Sequence, residues 1–403
     1  MVTTLDSYND SIYSVGNSST LNGVVRISSN GYYGSGTLLY GGMAVLTAAH
    51  LFSSVNASAN MVFETSEGRR TVACDAIELM PQYDTLNDNN DLAIVWLADA
   101  APTDAHRYEL FRSSDEIGRL FTAVGYGNIG SGSEGMSSTP PTDILRQQAM
   151  NKFETDAAVM KNILGSNMAW TPQNNAILAA DFDDGTSAHD ALGLLMNDNN
   201  LGYGRYEGMI AQGDSGGPAF IDGKVAGVAS YVASVHAYNV NPDINATTDS
   251  SFGEVGFWHR VSYYQQWIDQ SLREHYTNAP KTASEVQKEV VEGASGTVTV
   301  NYFLVELSGM RSDPNELLSV KYTTRDGTAI SNQDYIPASG TLVLYPDENY
   351  AVIPVEIIGD NTAEANEVFS LDIFDPVGAG FSDNQIILTA QRTILNDDGY
   401  FFV

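Results

Sequence analysis

Gly213-Asp214-Ser215-Gly216-Gly217-Pro218 is the stretch on which the reading of this 403-residue chain turns. A serine hydroxyl is a poor nucleophile at neutral pH. It needs a neighbouring base, and the base needs a carboxylate to hold its tautomer. Both partners have distinctive contexts upstream: Thr47-Ala48-Ala49-His50 offers the base, and Asp91-Leu92-Ala93-Ile94-Val95 offers a carboxylate at the head of an apolar run. Gly213 lets the backbone turn so that its N–H and that of Ser215 converge on one point, where they would stabilise an oxyanion. Gly216, Gly217 and Pro218 set the exit from that turn. Asp84 and Asp88 compete with Asp91, but neither precedes such a run. His106, His189, His236, His259 and His275 have no comparable context and read as ordinary surface or core histidines.

The chain order His50, Asp91, Ser215 in these contexts resembles the chymotrypsin-like (trypsin-like) serine proteases. Gly125-Tyr126-Gly127 resembles that family's Gly-Trp-Gly and supports the alignment. The resemblance implies an all-β fold: a chymotrypsin-like double β-barrel closed by a C-terminal helix. It implies that His50 takes the proton of Ser215, that Asp91 orients His50, and that Gly213 and Ser215 form the oxyanion hole. It also maps a specificity pocket. Its base is Met209 and its walls are Ser230, Tyr231, Val232 and Gly256. An aspartate at the base would select Lys or Arg, and none is there. Val232 narrows the entrance and Gly256 leaves room deeper in, so medium-sized uncharged side chains are expected before the cut. In the family a newly cut amino terminus pairs with the aspartate before the serine, here Asp214. The usual Ile-Val-Gly-Gly start is missing, and the nearest candidates are Ile12-Tyr13-Ser14-Val15 and Val15-Gly16-Asn17. Either the chain is an unprocessed zymogen or Asp214 has another partner.

Composition narrows the setting. With 50 acidic and 19 basic residues the net charge is −31, which excludes nucleic acid and anionic membranes as partners. It fits a secreted protein in a salty or calcium-bearing medium. Cys74 is the only cysteine, so no intramolecular disulfide forms, and it reads as a small buried hydrophobe. Leu51 stands where animal relatives carry a bridging cysteine, which implies a bacterial relative. No run of 18 apolar residues occurs, so no membrane insertion by a helix is expected. The opening Met-Val-Thr-Thr-Leu has no apolar signal core. A signal has been removed or export is not used.

Short strand-like runs with Gly-rich turns occupy 23–45, and more follow at Val62, Ile77, Leu92, Leu120 and Val225. Phe257–Val261 reads as a strand, and Val261–Leu272 shows apolar residues at helical spacings of three and four. Between them, 150–207 holds Asp181-Phe182-Asp183-Asp184-Gly185 and Asn197-Asp198-Asn199-Asn200. It reads as an inserted, solvated acidic loop, with a metal-binding loop as the alternative. The expected domains are a protease domain at 12–275, a linker at 276–284 and a second domain at 285–403.

After the linker, about seven short alternating runs predict an immunoglobulin-like β-sandwich. Val291-Glu292-Gly293, Asp334-Tyr335, Ile357-Ile358-Gly359-Asp360, Glu364 with Glu367, and Thr393-Ile394-Leu395-Asn396-Asp397-Asp398 resemble a Calx-beta domain. The resemblance implies calcium at one tip of the sandwich, held by Glu292, Asp334, Asp360, Glu364, Glu367, Asp397 and Asp398. Close carboxylates repel unless a cation neutralises them, and calcium takes six to eight oxygens. Gly359 and Asn396 replace further aspartates, so fewer or weaker sites are expected. The reading is a secreted serine endopeptidase acting on protein or peptide substrates, with a calcium-binding module that also meets a surface or matrix partner. The alternative is a proteolytically silent zymogen or scaffold that serves calcium-dependent adhesion.

Overall fold

The structure, a computed structural model, describes residues 3–4, 13–16, 18–138, 145–237, 240–245, 247–311 and 313–399. The chain divides into two compact units, Met1–Leu39 with Met43–Trp267, and Tyr40–Gly42 with Ile268–Val403. Each is β-rich, as the sequence predicts.

The first unit opens with a closed six-stranded antiparallel barrel of Val24–Ser29, Tyr32–Leu38, Ala44–Thr47, Ala59–Thr65, Gly68–Leu79 and Ala93–Leu97. Alternation along these strands turns Val25, Ile27, Met61, Phe63 and Val95 into one buried cluster. Cys74 packs against it only half-buried, and its thiol donates to the Ala76 carbonyl, so it is less enclosed than expected.

The second half is a seven-stranded antiparallel sheet. Its order is Gln147–Lys152, Leu120–Gly125, Pro218–Ile221, Lys224–Ser234, Glu254–Arg260, Ile177–Asp181 and Thr155–Asp156. Its core is aromatic. Phe121 stacks on Phe153 at 4.0 Å, and Trp258 meets both edge-on at 5.0 and 5.6 Å. Such pairs are worth about 0.5–1.5 kcal/mol beyond the area they bury. The helix predicted at 261–272 forms as Val261–Glu274, and Val261, Tyr264, Ile268 and Leu272 are its buried apolar residues at helical spacing. No helix among the described residues is long and apolar enough to cross a membrane.

The segment 150–207 is not a solvated loop. It supplies two strands to the sheet, Thr155–Asp156 and Ile177–Asp181, and two short helices, Ala157–Leu164 and Ala191–Met196. Asp156 and Asp190 accept the N–H groups of Ala158 and Gly193 and cap those helices. The acidic residues masked a buried register: Ile177, Leu178, Ala179 and Ala180 have no exposed surface.

The second unit is a sandwich of a five-stranded sheet and a two-stranded one. The former runs Glu289–Val291, Ile387–Leu395, Glu367–Val377, Leu318–Asp326 and Ser339–Leu344, and the latter pairs Val298–Glu306 with Tyr350–Ile358. Phe303, Ile353, Ile357, Phe369 and Leu371 fill the space between. The short strand Glu289–Val291, parallel to Ile387–Leu395, was not legible in the sequence.

Candidate active site

His50 lies in a single 3-10 turn, Ala49–Leu51, at the end of barrel strand Ala44–Thr47. Asp91 immediately precedes strand Ala93–Leu97, which pairs with Ala44–Thr47. Adjacent strands therefore bring the two side chains together. His50 Nδ1 is 2.7 Å from Asp91 Oδ2, and the His50 backbone N–H donates to Asp91 Oδ1 at 2.8 Å. Asp84 instead accepts from Leu86 and Asn87. Burial by itself would lower the His50 pKa. The hydrogen bond and charge of Asp91, aided by Asp88, outweigh it and hold His50 above its ordinary value. Burial would likewise raise Asp91, yet His50 and Ser230 hold its carboxyl down to about 2.

Ser215 arrives from the other half. Its carbonyl accepts the Ser35 N–H at 2.8 Å. Gly216 packs so closely that a Cβ there would lie 2.0 Å from Thr47 Oγ1 and 2.9 Å from Ala48 N. The serine turn thus abuts the Thr47–His50 segment, and only glycine permits it. Gly213 adopts φ +98°, and a Cβ would meet the Tyr33 ring at 2.4 Å. The N–H groups of Asp214, Gly216 and Gly217 bond to backbone carbonyls. Those of Gly213 and Ser215 have no acceptor among the described residues, as two donors aimed at a substrate oxygen require.

Asp214 is buried, and burial pushes its pKa up. The N–H groups of Ala211 and Gly127 donate to it at 2.9 and 2.8 Å. Gly125 leaves it room, since a Cβ there would lie 2.1 Å from Asp214 Oδ1. Asp214 thus accounts for the glycine at 125. Of the two expected activation segments, Ile12 lies outside the described residues, and Ser14 bridges to Gln147 of a sheet strand. The strand beside Gly208–Met209 is Thr3–Thr4, which also pairs with Gly130–Ser131. Val15 is therefore not the segment at Met209.

The pocket calls are corrected in part. Met209 is fully buried, and its Sδ would lie 2.5 Å from a Cβ on Gly256, with Trp258 at 2.8 Å. The room expected at Gly256 is already filled. Val232 pairs with Gly256 and packs on the same cluster, as a wall should. The Ser230 hydroxyl donates to Asp91 Oδ2, so this residue also touches the His50–Asp91 pair. Tyr231 stacks on Phe257 at 4.5 Å, and its hydroxyl accepts from Trp170 Nε1 at 3.0 Å. Trp170 is the contribution of the segment 150–207 to this aromatic group.

Two residues were missed. Ser35 accepts the Tyr126 N–H, donates to the Gly213 carbonyl, and offers its own carbonyl to Thr47 Oγ1 at 2.7 Å. It ties the barrel to the serine turn, and its flanking glycines were the only sequence signal. His259 is fully buried, and its Nε2 accepts the Asp91 backbone N–H at 3.0 Å. Burial lowers its pKa to about 4, which keeps it the neutral acceptor that this bond needs.

In the sandwich, Asp334, Glu364 and Glu367 converge, with one oxygen from each within 4.8 Å of the others. Burial, followed by Asp334, Glu364 and Glu292, pushes Glu367 up to about 7. Glu292 accepts the Asp360 N–H at 3.1 Å, and both belong to the same tip. Asp397 accepts the Gly293 N–H at 3.2 Å, and one buried oxygen of Asp398 has no hydrogen-bond partner. An aspartate could not replace Gly359 on this backbone, because a Cβ would lie 2.5 Å from the carbonyls of Gly293 and Ala294. Asn396 donates to the carbonyls of Glu364 and Asp398, bracing the tip.

This arrangement, with His, Asp and Ser on two β-rich halves, defines a serine-protease-like hydrolase. The chain belongs to the trypsin family, whose profile matches residues 14–268, and the Calx-beta domain profile matches 278–398. Among individual proteins, the chain is similar to the extracellular matrix organizing protein FRAS1, at 38% identity over 90 residues in the human protein and 36% over 90 in the mouse protein. Each match covers 22% of this chain and 2% of the far longer relative.

Proposed function

We propose that this chain is a secreted bacterial serine endopeptidase, with a peptidase domain at 12–275, a linker at 276–284 and a calcium-binding accessory domain at 285–403. The observation that carries the reading is the hydrogen-bonded pair His50 and Asp91 beside a strained glycine turn bearing Ser215. Asp91 holds His50 Nδ1, which leaves Nε2 to take the proton of the Ser215 hydroxyl as it attacks the peptide carbonyl. The N–H groups of Gly213 and Ser215 receive the oxyanion, and His50 returns the proton to the leaving amine. Water then cleaves the acyl-enzyme by the same route. The Met209 thioether and the absence of charge at the pocket base favour small to medium uncharged side chains before the scissile bond.

Pairing of Asp214 with a freed amino terminus is the activation step proposed for a zymogen. The strand Thr3–Thr4 beside Met209 supports an amino-terminal segment as part of the assembled site. For the accessory domain, the converging carboxylates support calcium binding, which would stiffen the sandwich. The likeness to matrix proteins supports an extracellular setting and a surface or matrix partner. The rival reading is a silent zymogen or scaffold for calcium-dependent adhesion.

Fluorophosphonate labelling of the full chain, with and without calcium and before and after limited proteolysis near residues 8–16, separates the readings. Labelling that disappears in Ser215→Ala supports the endopeptidase. Labelling only after cleavage means a zymogen, and none under any condition means a scaffold.

A further inference from the structure

Away from the serine turn, the first unit buries a second group of carboxylates. Glu154 lies between Gln147–Lys152 and Thr155–Asp156, Asp181 ends strand Ile177–Asp181, and Asp183 follows two residues on. One oxygen from each lies within 4.8 Å of the others. Asp181 is 0% exposed and Asp183 1%. Asp181 Oδ2 accepts the Leu192 N–H at 2.6 Å, but Asp181 Oδ1, both oxygens of Asp183 and Glu154 Oε1 are buried with no hydrogen-bond partner.

Neighbouring groups do not supply what is missing. Asp190 is occupied by the N–H groups of Gly193 and Asn200, and Glu207 by those of Asp183 and Tyr203. These add negative charge rather than remove it. Lys152 is the cation whose charge acts on Glu154 and Asp190. A shared proton could bridge Glu154 and Asp181, but it would leave both oxygens of Asp183 without a donor. Buried carboxylates in that state need a cation or a hydrogen bond to be tolerated.

We propose that Glu154, Asp181 and Asp183 bind a calcium ion within the peptidase domain, separate from the tip of the sandwich. The donors are hard oxygens with no imidazole or thiolate among them, which suits calcium and not zinc. A calcium–oxygen distance of about 2.4 Å sets opposite ligands roughly 4.8 Å apart, and carbonyls or water complete the shell. The ion clamps the turn at Glu154 to the end of strand Ile177–Asp181. It thereby anchors the stretch that continues through Glu207 to Gly208–Met209 and the serine turn.

The test uses the full chain carrying Glu292→Gln, Asp334→Asn, Asp360→Asn, Glu364→Gln, Glu367→Gln, Asp397→Asn and Asp398→Asn, so that the sandwich tip no longer responds. Calcium is removed with EDTA, then returned as calcium chloride and followed by titration calorimetry and thermal unfolding. The expected result is one calcium bound per chain and a melting temperature raised by roughly 5–10 °C at a hundredfold excess over Kd. Adding Asp183→Asn should abolish both, while raising the melting temperature in EDTA because the folded chain no longer holds a third carboxyl buried beside Glu154 and Asp181. Glu154→Gln serves if that variant fails to fold, and should weaken binding at least tenfold. Binding that survives both substitutions overturns the assignment. So does the absence of any calcium response in the starting variant, or a full response to magnesium alone. These readouts do not involve Ser215 turnover, so their failure leaves the endopeptidase reading untouched.

Discussion

At the scale of single residues, the site is a set of charges balanced by burial. His50 works as a base only when neutral, and Asp91 raises its pKa above the ordinary 6.5. The rising limb of kcat/KM should therefore fall above pH 6.5, with activity lost as pH drops through it. Asp91→Asn removes the carboxylate, so that limb should move to lower pH while kcat falls about 10⁴-fold, the penalty in this family for holding the wrong tautomer. A pH–rate profile of both proteins checks this, and an unshifted limb would remove Asp91 from its role. His259 acts one layer behind. Its replacement by Ala leaves the buried Asp91 N–H unpaired, at a cost of about 1–3 kcal/mol, and should lower kcat with little change in KM. Its pKa of about 4 adds a second readout. Between about pH 6.5 and 4 the unfolded chain takes up a proton that the native imidazole refuses, so stability falls with pH in that window. Urea titrations across it should show a shallower loss in the His259→Ala protein. His50, Asp91 and Ser215 stand out in the sequence because each sits in a distinctive local context. The role of His259 was not, since nothing near it in sequence announces a partner 168 residues away.

At the scale of elements, the serine turn is defined by what its glycines touch. Gly216→Ala would force a methyl into Thr47 Oγ1 and the Ser35 carbonyl, from a backbone at φ +81°. It should destabilise the protein by more than about 1 kcal/mol and push the serine turn off the Thr47–His50 segment. Loss of fluorophosphonate labelling at a temperature where the variant remains folded by circular dichroism is the expected outcome, and full labelling would show that the close approach is dispensable. The helix at Val261–Glu274 and the sandwich strands were readable from periodicity, because each buries one face. The segment 150–207 was misread for the complementary reason. Asp156, Asp181, Asp183, Asp190 and Glu207 are buried there, two of them as helix caps, a position that composition assigns to water.

At the scale of the whole molecule, much of the order depends on charges taken out of water. Glu116 is completely buried, with its carboxylate shared between Arg260 at 2.6 Å and the Ser262 hydroxyl. This joins the segment before strand Leu120–Gly125 to the junction of the last sheet strand and the terminal helix. Removing one partner of such a pair leaves the other charge stranded, so Glu116→Ala should cost about 3–5 kcal/mol. Denaturant unfolding of the full chain measures it, and a loss below about 1 kcal/mol would mean that water reaches Arg260.

Local pattern was enough for the class: a histidine, an aspartate and a serine in that order, a helix and strands by period, and a family resemblance for each half. These are properties of local pattern, where neighbours in sequence carry the constraint. Only the tertiary structure decided how far the pocket extends, since Met209 fills the space beside Gly256 from a strand 47 residues earlier. It alone joined Ser230 to Asp91 and Tyr231 to Phe257 and Trp170, and it alone gathered Glu154, Asp181 and Asp183. The physical reason is common to all three. A side chain's neighbours across a sheet are set by strand register, and a residue's chemistry follows the dielectric and donors that register brings to it.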